Sequence, residues 1–496
     1  MNAAQAANTM KGVFMRTIVQ KSYRKAFAIL LAVFVALAMV PGTAQAASYT
    51  PVQPDTTGAI TITGISAGDT VKAYRIVETT YNKTANTLTS AFPAGSNFGI
   101  TFADYSKLAS DSAGMKAAAD KIAAVATGVG GLTPATVTAT SAEATFTNLA
   151  MGQYLIAVSP QASSGVVFQN TIVSLVPAAN VDNTYTLTDA TIEIKSSKVT
   201  IDKKADGKDQ VDEYAIGDVI PFTITATVPS YPENATNTKF VIGDTLSGGL
   251  TFKKDVTVKI GTGNEALPAN AFTLVQNDDG FTYTLKDYSL IKQYAGQNIT
   301  LTYSATVNEA ANVTNPETNT AKIEFANNPY DSNSSDIITD KVVVTTYGVY
   351  LLKVDGSNQT KLSGAEFTLY KEDAGGIAVA GITPPVRAVK VMATGADGIA
   401  QCDDLGIGTY YLKETKAPAG YLLSDTVTTV TFTANTVEST GALAKYYNAG
   451  TITNAKTPLL PQTGGEGTLT LTLSGLILIT TATGLAVWSH RKRKGL

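Results

Sequence analysis

Polar side chains recur at positions where the strand pattern places apolar ones. In KVTIDKK, Lys203 has the same parity as Val199 and Ile201. Further along, Asp244 ends the run FVIGD and Asn319 begins the run NTAKIEF, each in step with apolar neighbours. Side chains alternate between the two faces of a strand, so these three polar residues are expected to face a core.

The same order of residue types returns later in the chain. Lys353 ends YGVYLLK, Glu414 ends TYYLKE and Asn454 ends TITN, and each shares parity with apolar residues. Glu366, in GAEF, is a rival acid for this second set, because its strand face also permits the role. One buried polar residue is usually a satisfied exception in a core. Two sets in the order lysine, acid, asparagine favour a shared chemistry.

Burial of these residue types favours their uncharged forms. It lowers the pKa of a lysine and raises the pKa of a carboxyl group, because a charge is costly away from water. A neutral amine can attack an amide carbon held against it, while the protonated acid bonds the amide oxygen and ammonia leaves. The product is a Lys–Asn isopeptide bond. A bond from the first to the last strand of a domain closes a loop of roughly a hundred residues and restricts the unfolded state by about 4–5 kcal/mol.

Composition excludes most enzyme classes. The chain has 496 residues, a net charge of −3, one cysteine (Cys402) and one histidine (His490). Because His490 lies in a basic tail, Ser-His-Asp sites, Cys-His sites and ordinary zinc sites are excluded elsewhere. The sequence has no Gly-rich phosphate loop and no metal-ligand spacing, so we expect no cofactor, no metal and no nucleic-acid partner. A hydrolase that uses carboxylates alone is the remaining enzymatic alternative.

Short runs rich in Thr, Val and Ile, separated by turn residues, predict an all-β fold. We expect tandem immunoglobulin-like (Greek-key) sandwich domains, with an amphipathic helix inserted into the first domain over residues 103–126. The predicted division is a signal peptide at 1–46, an N-terminal domain at 47–194, a middle sandwich at 195–344, a C-terminal sandwich at 345–457 and a sorting segment at 458–496.

The first 46 residues have the features of an export signal. Basic residues between Lys11 and Lys25 precede the apolar run AFAILLAVFVALAMV, which Pro41-Gly42 ends. Ala44-Gln45-Ala46 fits the small-x-small cleavage pattern, so we expect cleavage after Ala46. A retained membrane helix is the alternative.

The C-terminal segment has three parts in a fixed order. They are a short LPQTG motif, an apolar stretch over residues 467–488 that is long enough to span a bilayer, and a basic tail. This arrangement resembles the sorting signal of Gram-positive sortase substrates; a linker to an ordinary membrane anchor is the alternative. The resemblance implies cleavage between Thr463 and Gly464, followed by attack of an amine on the Thr463 carbonyl. The implied recognition residues are Leu460, Pro461, Gln462, Thr463 and Gly464.

With these motifs in view, the chain resembles a backbone (shaft) pilin of sortase-assembled Gram-positive pili. Such pilins are built from A-type and B-type repeat domains first described in a collagen adhesin. YYLKETKAPAGY is similar to their E-box, and FVIGDTLSGGLTF to the segment that carries the acid in A-type domains. The resemblance implies an A-type middle domain and a B-type C-terminal domain. The implied bonds are Lys203–Asn319 with Asp244 and Lys353–Asn454 with Glu414. The first domain has GQYLIAVSP in place of an E-box, without an acid, so we expect no isopeptide bond there.

A surface lysine between the first two domains would join one subunit to the next. Lys195 shares parity with Glu193 and is expected to point outwards, although IEIKS lacks the aromatic residue and the proline of the family's junction motif. Lys198 is the runner-up. The resemblance implies a subunit of a cell-wall-anchored pilus, with partners that are pilin-specific and housekeeping sortases, other copies, accessory pilins and peptidoglycan. A wall-anchored adhesin or accessory pilin that binds a host surface ligand is the alternative.

Overall fold

The computed structural model describes residues 52–108, 112–126, 132–232, 235–458 and 467–493. The predicted signal peptide and the pentapeptide at 460–464 lie outside these residues. The described chain divides into two compact units. The first contains the residues up to Ser159 together with Gln169–Lys195, and the second contains Pro160–Phe168 and the chain from Ser196 onwards.

The first unit is built mainly from two small sheets. One has the strand order β11-β1-β5, and the other has the order β3-β2-β6-β8 with β4 also paired to β2. Alternation along β1 buries Ile60 and Ile62. The strands are β1 Thr57–Thr63, β2 Thr70–Asn82, β3 Thr87–Ala91, β4 Ala135–Thr138, β5 Glu143–Ala150, β6 Gly152–Ser159, β8 Thr171–Leu175, β9 Ala178–Ala179, β10 Tyr185–Thr186 and β11 Ala190–Glu193, with β7, Val166–Phe168, assigned to the second unit.

The helical insertion of the first unit consists of two assigned helices rather than one. The described part of residues 103–126 forms two helices, α1 (Phe102–Leu108) and α2 (Ser112–Ala126), where the sequence predicts one. Tyr105 on α1 is buried, and on α2 the buried side chains are those of Ala118, Ala119, Asp120, Ile122 and Ala123. The insertion therefore contributes to the core of this unit.

The second unit begins with a sandwich of two six-stranded sheets around one apolar core. One sheet has the order β13-β15-β22-β18-β19, with β17 on β22, and the other has the order β14-β24-β23-β16-β21-β20. Two short 3-10 helices, Tyr288–Leu290 and Lys292–Tyr294, precede β22. The strands are β12 Ser196–Lys198, β13 Ile201–Ala205, β14 Gln210–Val211, β15 Val219–Thr227, β16 Phe240–Leu246, β17 Leu250–Phe252, β18 Thr257–Ile260, β19 Glu265–Ala266, β20 Phe272–Gln276, β21 Gly280–Leu285, β22 Asn298–Val307, β23 Glu317–Phe325 and β24 Asp336–Val344.

A smaller sandwich follows in the same unit. Its two sheets have the orders β28-β25-β31 and β27-β26-β29-β30, and they enclose a separate core. The first and last strands of this sandwich, β25 and β31, are parallel neighbours. The strands are β25 Tyr347–Asp355, β26 Glu366–Ile377, β27 Val386–Ala393, β28 Ile399–Leu405, β29 Gly408–Lys416, β30 Val427–Phe432 and β31 Tyr446–Asn454.

Asp218, just before β15, connects the two sandwiches of the second unit. Its carboxylate accepts hydrogen bonds from Lys371 Nζ at 2.8 Å and from Arg387 Nη2 at 2.5 Å, both on the smaller sandwich. Arg387 also donates to the carbonyl of Ile216 at 3.2 Å, and Lys371 donates to that of Glu213 at 3.2 Å. All of these charged side chains keep about a quarter of their surface exposed. The contact between the sandwiches therefore includes partly hydrated ion pairs beside backbone hydrogen bonds, such as that from Ile216 N to the carbonyl of Asp404 at 2.8 Å.

The last helix, α3 (Gly467–Arg493), follows the pentapeptide. Its segment Leu471–Lys492 has a mean hydropathy of 1.7 and is long and apolar enough to cross a membrane. An all-β fold of tandem sandwiches with a helical insertion and a C-terminal apolar helix is thus confirmed.

Two features of the fold differ from the sequence expectation: the grouping of one strand, and the position of Asn319 in its sheet. Strand β7 pairs antiparallel with β12 and belongs to the second unit, although it lies within the predicted first domain. Asn319 is not on the last strand of the middle sandwich, because β24 follows β23 and pairs with it. The expectation of a link from first strand to last is therefore wrong for this sandwich.

Candidate functional sites

The residues of the first set lie on facing sheets of the middle sandwich. Lys203 comes from β13 in one sheet, while Asp244 on β16 and Asn319 on β23 belong to the other. Lys203 and Asn319 have no exposed surface, and Asp244 is 4% exposed. Alternation brings them inwards, since Val199, Ile242 and Ala321 nearby are also buried.

A tyrosine hydroxyl lies at the centre of this set. Lys203 Nζ donates to Asp244 Oδ2 and, at 2.5 Å, to the hydroxyl of Tyr303 on β22. The Tyr303 hydroxyl donates to Asp244 Oδ1 at 2.7 Å and accepts from Asn319 Nδ2 at 2.9 Å. The rings of Phe222 and Tyr303 lie 5.4 and 5.1 Å from Nζ and help to exclude water. The four side chains form one closed hydrogen-bonded network, named here the middle cluster.

Burial shifts both ionisable partners of the middle cluster towards their neutral forms. Desolvation lowers the pKa of Lys203 and raises that of Asp244, although the attraction between the two groups opposes both shifts. Desolvation also raises the pKa of Tyr303 well above its usual value, so its hydroxyl stays protonated. Desolvation thus favours a neutral amine, a protonated carboxyl and a protonated phenol beside the amide.

The amide oxygen of Asn319 marks where a reaction would develop charge. Oδ1 is buried, and no hydrogen-bond donor among the described residues reaches it. An unpartnered buried carbonyl oxygen is costly, and it gains most from a donor when negative charge forms on it. Asn319 therefore carries an uncompensated polar atom in the resting cluster.

The residues of the second set meet inside the smaller sandwich. Lys353 on β25 and Asn454 on β31 are on neighbouring parallel strands, and Glu414 is on β29 of the facing sheet. Their exposed fractions are 0%, 3% and 2%, respectively. This set is named the C-terminal cluster.

The contacts of the C-terminal cluster are more direct. Lys353 Nζ donates to Asn454 Oδ1 at 2.5 Å and lies 3.0 Å from Glu414 Oε1. Asn454 Nδ2 donates to Oε1 and Oε2 of Glu414 at 2.9 and 3.0 Å. Desolvation lowers the pKa of Lys353. The rival acid Glu366 is partly exposed and bonds Lys416 at 2.7 Å, so the structure does not bring it into this cluster.

Gly280 keeps the acid-bearing strand of the middle cluster in place. It pairs with Thr245 and has a φ of +152°, and a Cβ at this position would lie 2.1 Å from the carbonyl oxygen of Asp244. Only glycine therefore allows β21 to approach β16 this closely.

The two junction lysines are both exposed. Lys195 follows β11, and its side chain lines a groove of about 490 Å³ with Gln169, Asn170 and Glu193. Lys198 ends β12. The alternation that buries Ile194 turns Lys195 outwards.

Other reactive groups in the described residues form no further site. No cluster of His, Cys, Asp and Glu there could hold a metal ion. Cys402 is buried, and desolvation raises the pKa of its thiol to about 12, so it is a poor nucleophile.

Sequence reasoning missed Tyr303. Alternation along NITLTYSATV places its ring with Ile299, Leu301 and Ala305, all of which are buried. The hydroxyl of a buried tyrosine needs a hydrogen-bond partner. A tyrosine on the apolar face of a strand was therefore the sequence signal that could have pointed to Tyr303.

Three segments of the chain match known families. Residues 216–329 match the Gram-positive pilin backbone subunit 2, Cna-B-like domain; residues 348–443 match a prealbumin-like fold domain; residues 452–495 match the LPXTG cell wall anchor motif. The matched family model describes the middle segment as Cna-B-like, while the resemblance in the sequence implied an A-type middle domain. The A-type assignment of this domain stays a prediction.

Individual proteins are similar over longer stretches. The trypsin-resistant surface T6 protein of Streptococcus pyogenes serotype M6 is 29% identical over 53% of this chain and 50% of its own length. Fimbrial subunit type 2 of Actinomyces naeslundii is 26% identical over 64% of this chain and 65% of its own length. The chain thus matches between half and two thirds of these relatives. The solved T6 backbone pilin has a TM-score of 0.62 at 24% identity, covering 78% of this chain and 82% of that one, which shows a shared fold.

These findings define the class of protein. The chain carries pilin-backbone and prealbumin-like sandwich domains together with the wall-anchor motif of Gram-positive surface proteins. The resemblance to Gram-positive backbone pilins, and the expectation of a cell-wall-anchored surface protein, are confirmed. The matched pilin family fits a structural protein rather than an enzyme.

Proposed function

We propose that this chain is the repeating structural subunit of a covalently polymerised, cell-wall-anchored pilus whose two later sandwiches are closed by internal isopeptide bonds. The observation that carries the proposal is the pair of buried clusters, each with a lysine, an acid and an asparagine in mutual contact. Buried groups of this kind rarely persist as mere charge pairs, because the desolvation penalty can exceed their attraction. The matched pilin-backbone and anchor families support the same function.

Each cluster performs its reaction once. The neutral lysine Nζ attacks the asparagine Cγ, the bond from Cγ to Nδ2 breaks, and ammonia leaves with one proton that came from Nζ. Asp244 and Glu414 assist by hydrogen bonding and proton transfer. Positioning contributes strongly, since Nζ of Lys353 already contacts the amide group at 2.5 Å. The acid is regenerated, but the lysine is consumed, so the protein is not an enzyme with turnover.

Polymerisation would use a lysine at the end of the first unit. A sortase would cleave after Thr463 and transfer its carbonyl to Lys195 of another copy. Exposure of Lys195 at a groove supports this choice, because an attacking amine must be reached by a bulky acyl-enzyme. Lys198 is the runner-up, since it is also exposed. The last subunit would be transferred to peptidoglycan by a housekeeping sortase, and accessory pilins or host ligands would bind the assembled fibre.

Intact-mass measurement tests the cross-links. The predicted mature chain, residues 47–463, should weigh less than its calculated mass by two ammonia molecules. Lys203→Ala and Lys353→Ala should each restore one of them, whereas Lys204→Ala, a solvated neighbour with ion pairs to Asp202 and Asp209, should restore none. A wild-type chain at its full calculated mass would end this part of the proposal.

Polymerisation is tested separately on cells. Boiling a wall fraction in SDS should leave a ladder of high-mass species that disappears with Lys195→Ala and persists with Lys198→Ala. A ladder lost only with Lys198→Ala would exchange the two roles. Monomer alone in the wild type would favour the wall-anchored adhesin instead.

A further inference from the structure

The two clusters differ in how the acid reaches the departing nitrogen. In the C-terminal cluster the Glu414 carboxyl contacts both the attacking Nζ, at 3.0 Å, and the departing Nδ2, at 2.9 Å. One carboxyl can therefore take a proton from the amine and give one to the leaving group. No bridging hydroxyl is among the contacts of these three residues in the described chain.

The middle cluster has a shorter acid and an additional group. Asp244 has one methylene fewer than a glutamate, and its carboxyl bonds Nζ and the Tyr303 hydroxyl. Asn319 Nδ2 interacts with Asp244 and also donates to the Tyr303 hydroxyl, at 2.9 Å. The same hydroxyl oxygen lies 2.5 Å from Nζ. Tyr303 thus touches both the nitrogen that must lose a proton and the nitrogen that must gain one.

We propose that the Tyr303 hydroxyl is a catalytic proton relay for the Lys203–Asn319 bond, a role that the acid fills alone in the C-terminal cluster. As the bond from Nζ to Cγ forms and the bond from Cγ to Nδ2 breaks, one Nζ proton passes to the Tyr303 oxygen. The hydroxyl proton, which faces Asp244 Oδ1 in the resting cluster, turns to Nδ2 as that nitrogen loses its amide conjugation and becomes basic, ammonia leaves and the tyrosine is regenerated. The proposal rests on the proposed cross-link, because a relay has no meaning where no bond forms.

The state of the tyrosine supports this role. Desolvation keeps its hydroxyl protonated, so the oxygen can accept one proton while it gives up another. Its ring is fixed by stacking on Phe222, with centroids 5.4 Å apart, and by edge contacts with Phe252 and Phe281. The oxygen of a ring held in this way stays between the two nitrogens, so only the hydroxyl proton must turn during the reaction.

The test is the rate of each bond in the full chain, made by cell-free translation with detergent for its C-terminal helix. Samples are quenched over time, digested, and assayed by mass spectrometry for the two linked peptide pairs. Tyr303→Phe removes the hydroxyl and keeps the ring, so the Lys203–Asn319 bond should form about 100-fold more slowly. The Lys353–Asn454 bond in the same molecules is the internal reference and should form at the wild-type rate.

A matched control removes a hydroxyl elsewhere in the same sandwich. Tyr283 on β21 stacks on Phe272 outside the cluster, and Tyr283→Phe should leave both rates unchanged. A second variant replaces Tyr303 by 3,5-difluorotyrosine, which has a more acidic hydroxyl on a ring of similar size. It should move the alkaline limit of the pH–rate profile for the Lys203–Asn319 bond to lower pH, an effect that packing alone does not produce.

The outcomes separate the relay from the cross-link. A wild-type chain without the Lys203–Asn319 bond would overturn both proposals. A Tyr303→Phe chain that forms this bond at the wild-type rate would overturn the relay and leave the cross-link standing. If Tyr303→Phe prevents folding, the difluorotyrosine variant decides, and an unchanged pH–rate profile would overturn the relay.

Discussion

At the scale of single residues, the reaction removes the groups that oppose folding. Before the bond forms, Lys203 and Asp244 are a buried pair, and Asn319 has an unpartnered oxygen. Loss of one partner from such a pair costs about 3–5 kcal/mol, because the other charge is left without compensation. Bond formation turns the amine into a neutral amide, so the linked domain has no buried lysine charge to stabilise.

Replacement of the two candidate acids of the smaller sandwich should have opposite outcomes. Glu414→Gln keeps the size of the side chain but removes the acid that contacts both nitrogens. The Lys353–Asn454 bond should not form, and the free energy of unfolding should fall by about 4–5 kcal/mol, the loop-closure contribution. Intact mass and chemical denaturation measure the two effects. Glu366→Gln is the matched control, and loss of the bond in that variant would exchange the assignments.

The rate of the Lys203–Asn319 bond should depend on pH as a bell-shaped curve. Below the lowered pKa of Lys203 the amine is protonated and cannot attack, and above the raised pKa of Tyr303 the hydroxyl is ionised and can no longer pass a proton to Nδ2. Refolding of unlinked chain across a pH series, followed by mass spectrometry, measures the curve. A rate that rises steadily up to the ordinary pKa of lysine would mean that the amine is not desolvated.

The period of two in strands was enough to predict which six residues turn inwards. Lys203 and Lys353 follow apolar residues of equal parity, and burial follows the parity. Parity could not reveal Tyr303, because a tyrosine on an apolar face is ordinary core material until its hydroxyl partners are known. Parity also says nothing about which strands are neighbours, since that depends on contacts far apart in sequence.

At the scale of elements, the position of the acid depends on close strand contact. β16 lies between β21 and β23, and its residues Ile242 and Leu246 anchor it in the core. Long-range pairings of this kind escaped the sequence interpretation: β7 pairs with β12, and β24 extends the sheet beyond Asn319. Periodicity alone predicted one helix where the structure assigns two, Phe102–Leu108 and Ser112–Ala126.

Gly280→Ala should slow the Lys203–Asn319 bond by moving β16. The added methyl group would lie 2.1 Å from the carbonyl oxygen of Asp244, so the acid must shift or the strands must separate. The rate of this bond should fall by about tenfold or more, while the Lys353–Asn454 bond forms normally. Gly248→Ala is the matched control, because nothing lies within 4 Å of a methyl group there. Equal rates in the two variants would contradict the positional argument.

At the scale of the whole molecule, the proposed cross-links would determine which residues carry tension. In the smaller sandwich, Lys353 and Asn454 are 101 residues apart on the first and last strands, so almost the whole domain lies inside the covalent loop. In the middle sandwich the loop ends at Asn319, and β24 lies outside it. Tension along the chain therefore passes through residues 320–344 without a covalent bypass.

Single-molecule stretching should detect this unprotected segment. The middle sandwich should lengthen by at most roughly 85 Å, the extended length of residues 320–344 at about 3.4 Å per residue. Asn319→Ala should release several hundred ångströms, because the loop is then open. The Lys353–Asn454 domain should not lengthen in either chain. A wild-type middle sandwich that opens as far as the Asn319→Ala variant would contradict this load path.

The ion pairs of Asp218 with Lys371 and Arg387 have a different consequence for a fibre built from this chain. Burial alone would raise the pKa of this carboxyl, but the bonds from Lys371 and Ala215 and the charge of Arg387 lower it. These ion pairs between the two sandwiches are weakened by dissolved salt, and they are lost as pH falls through the depressed pKa of Asp218. A shaft of this design would bend more easily in concentrated salt or in acid, so that the surrounding fluid would set its stiffness.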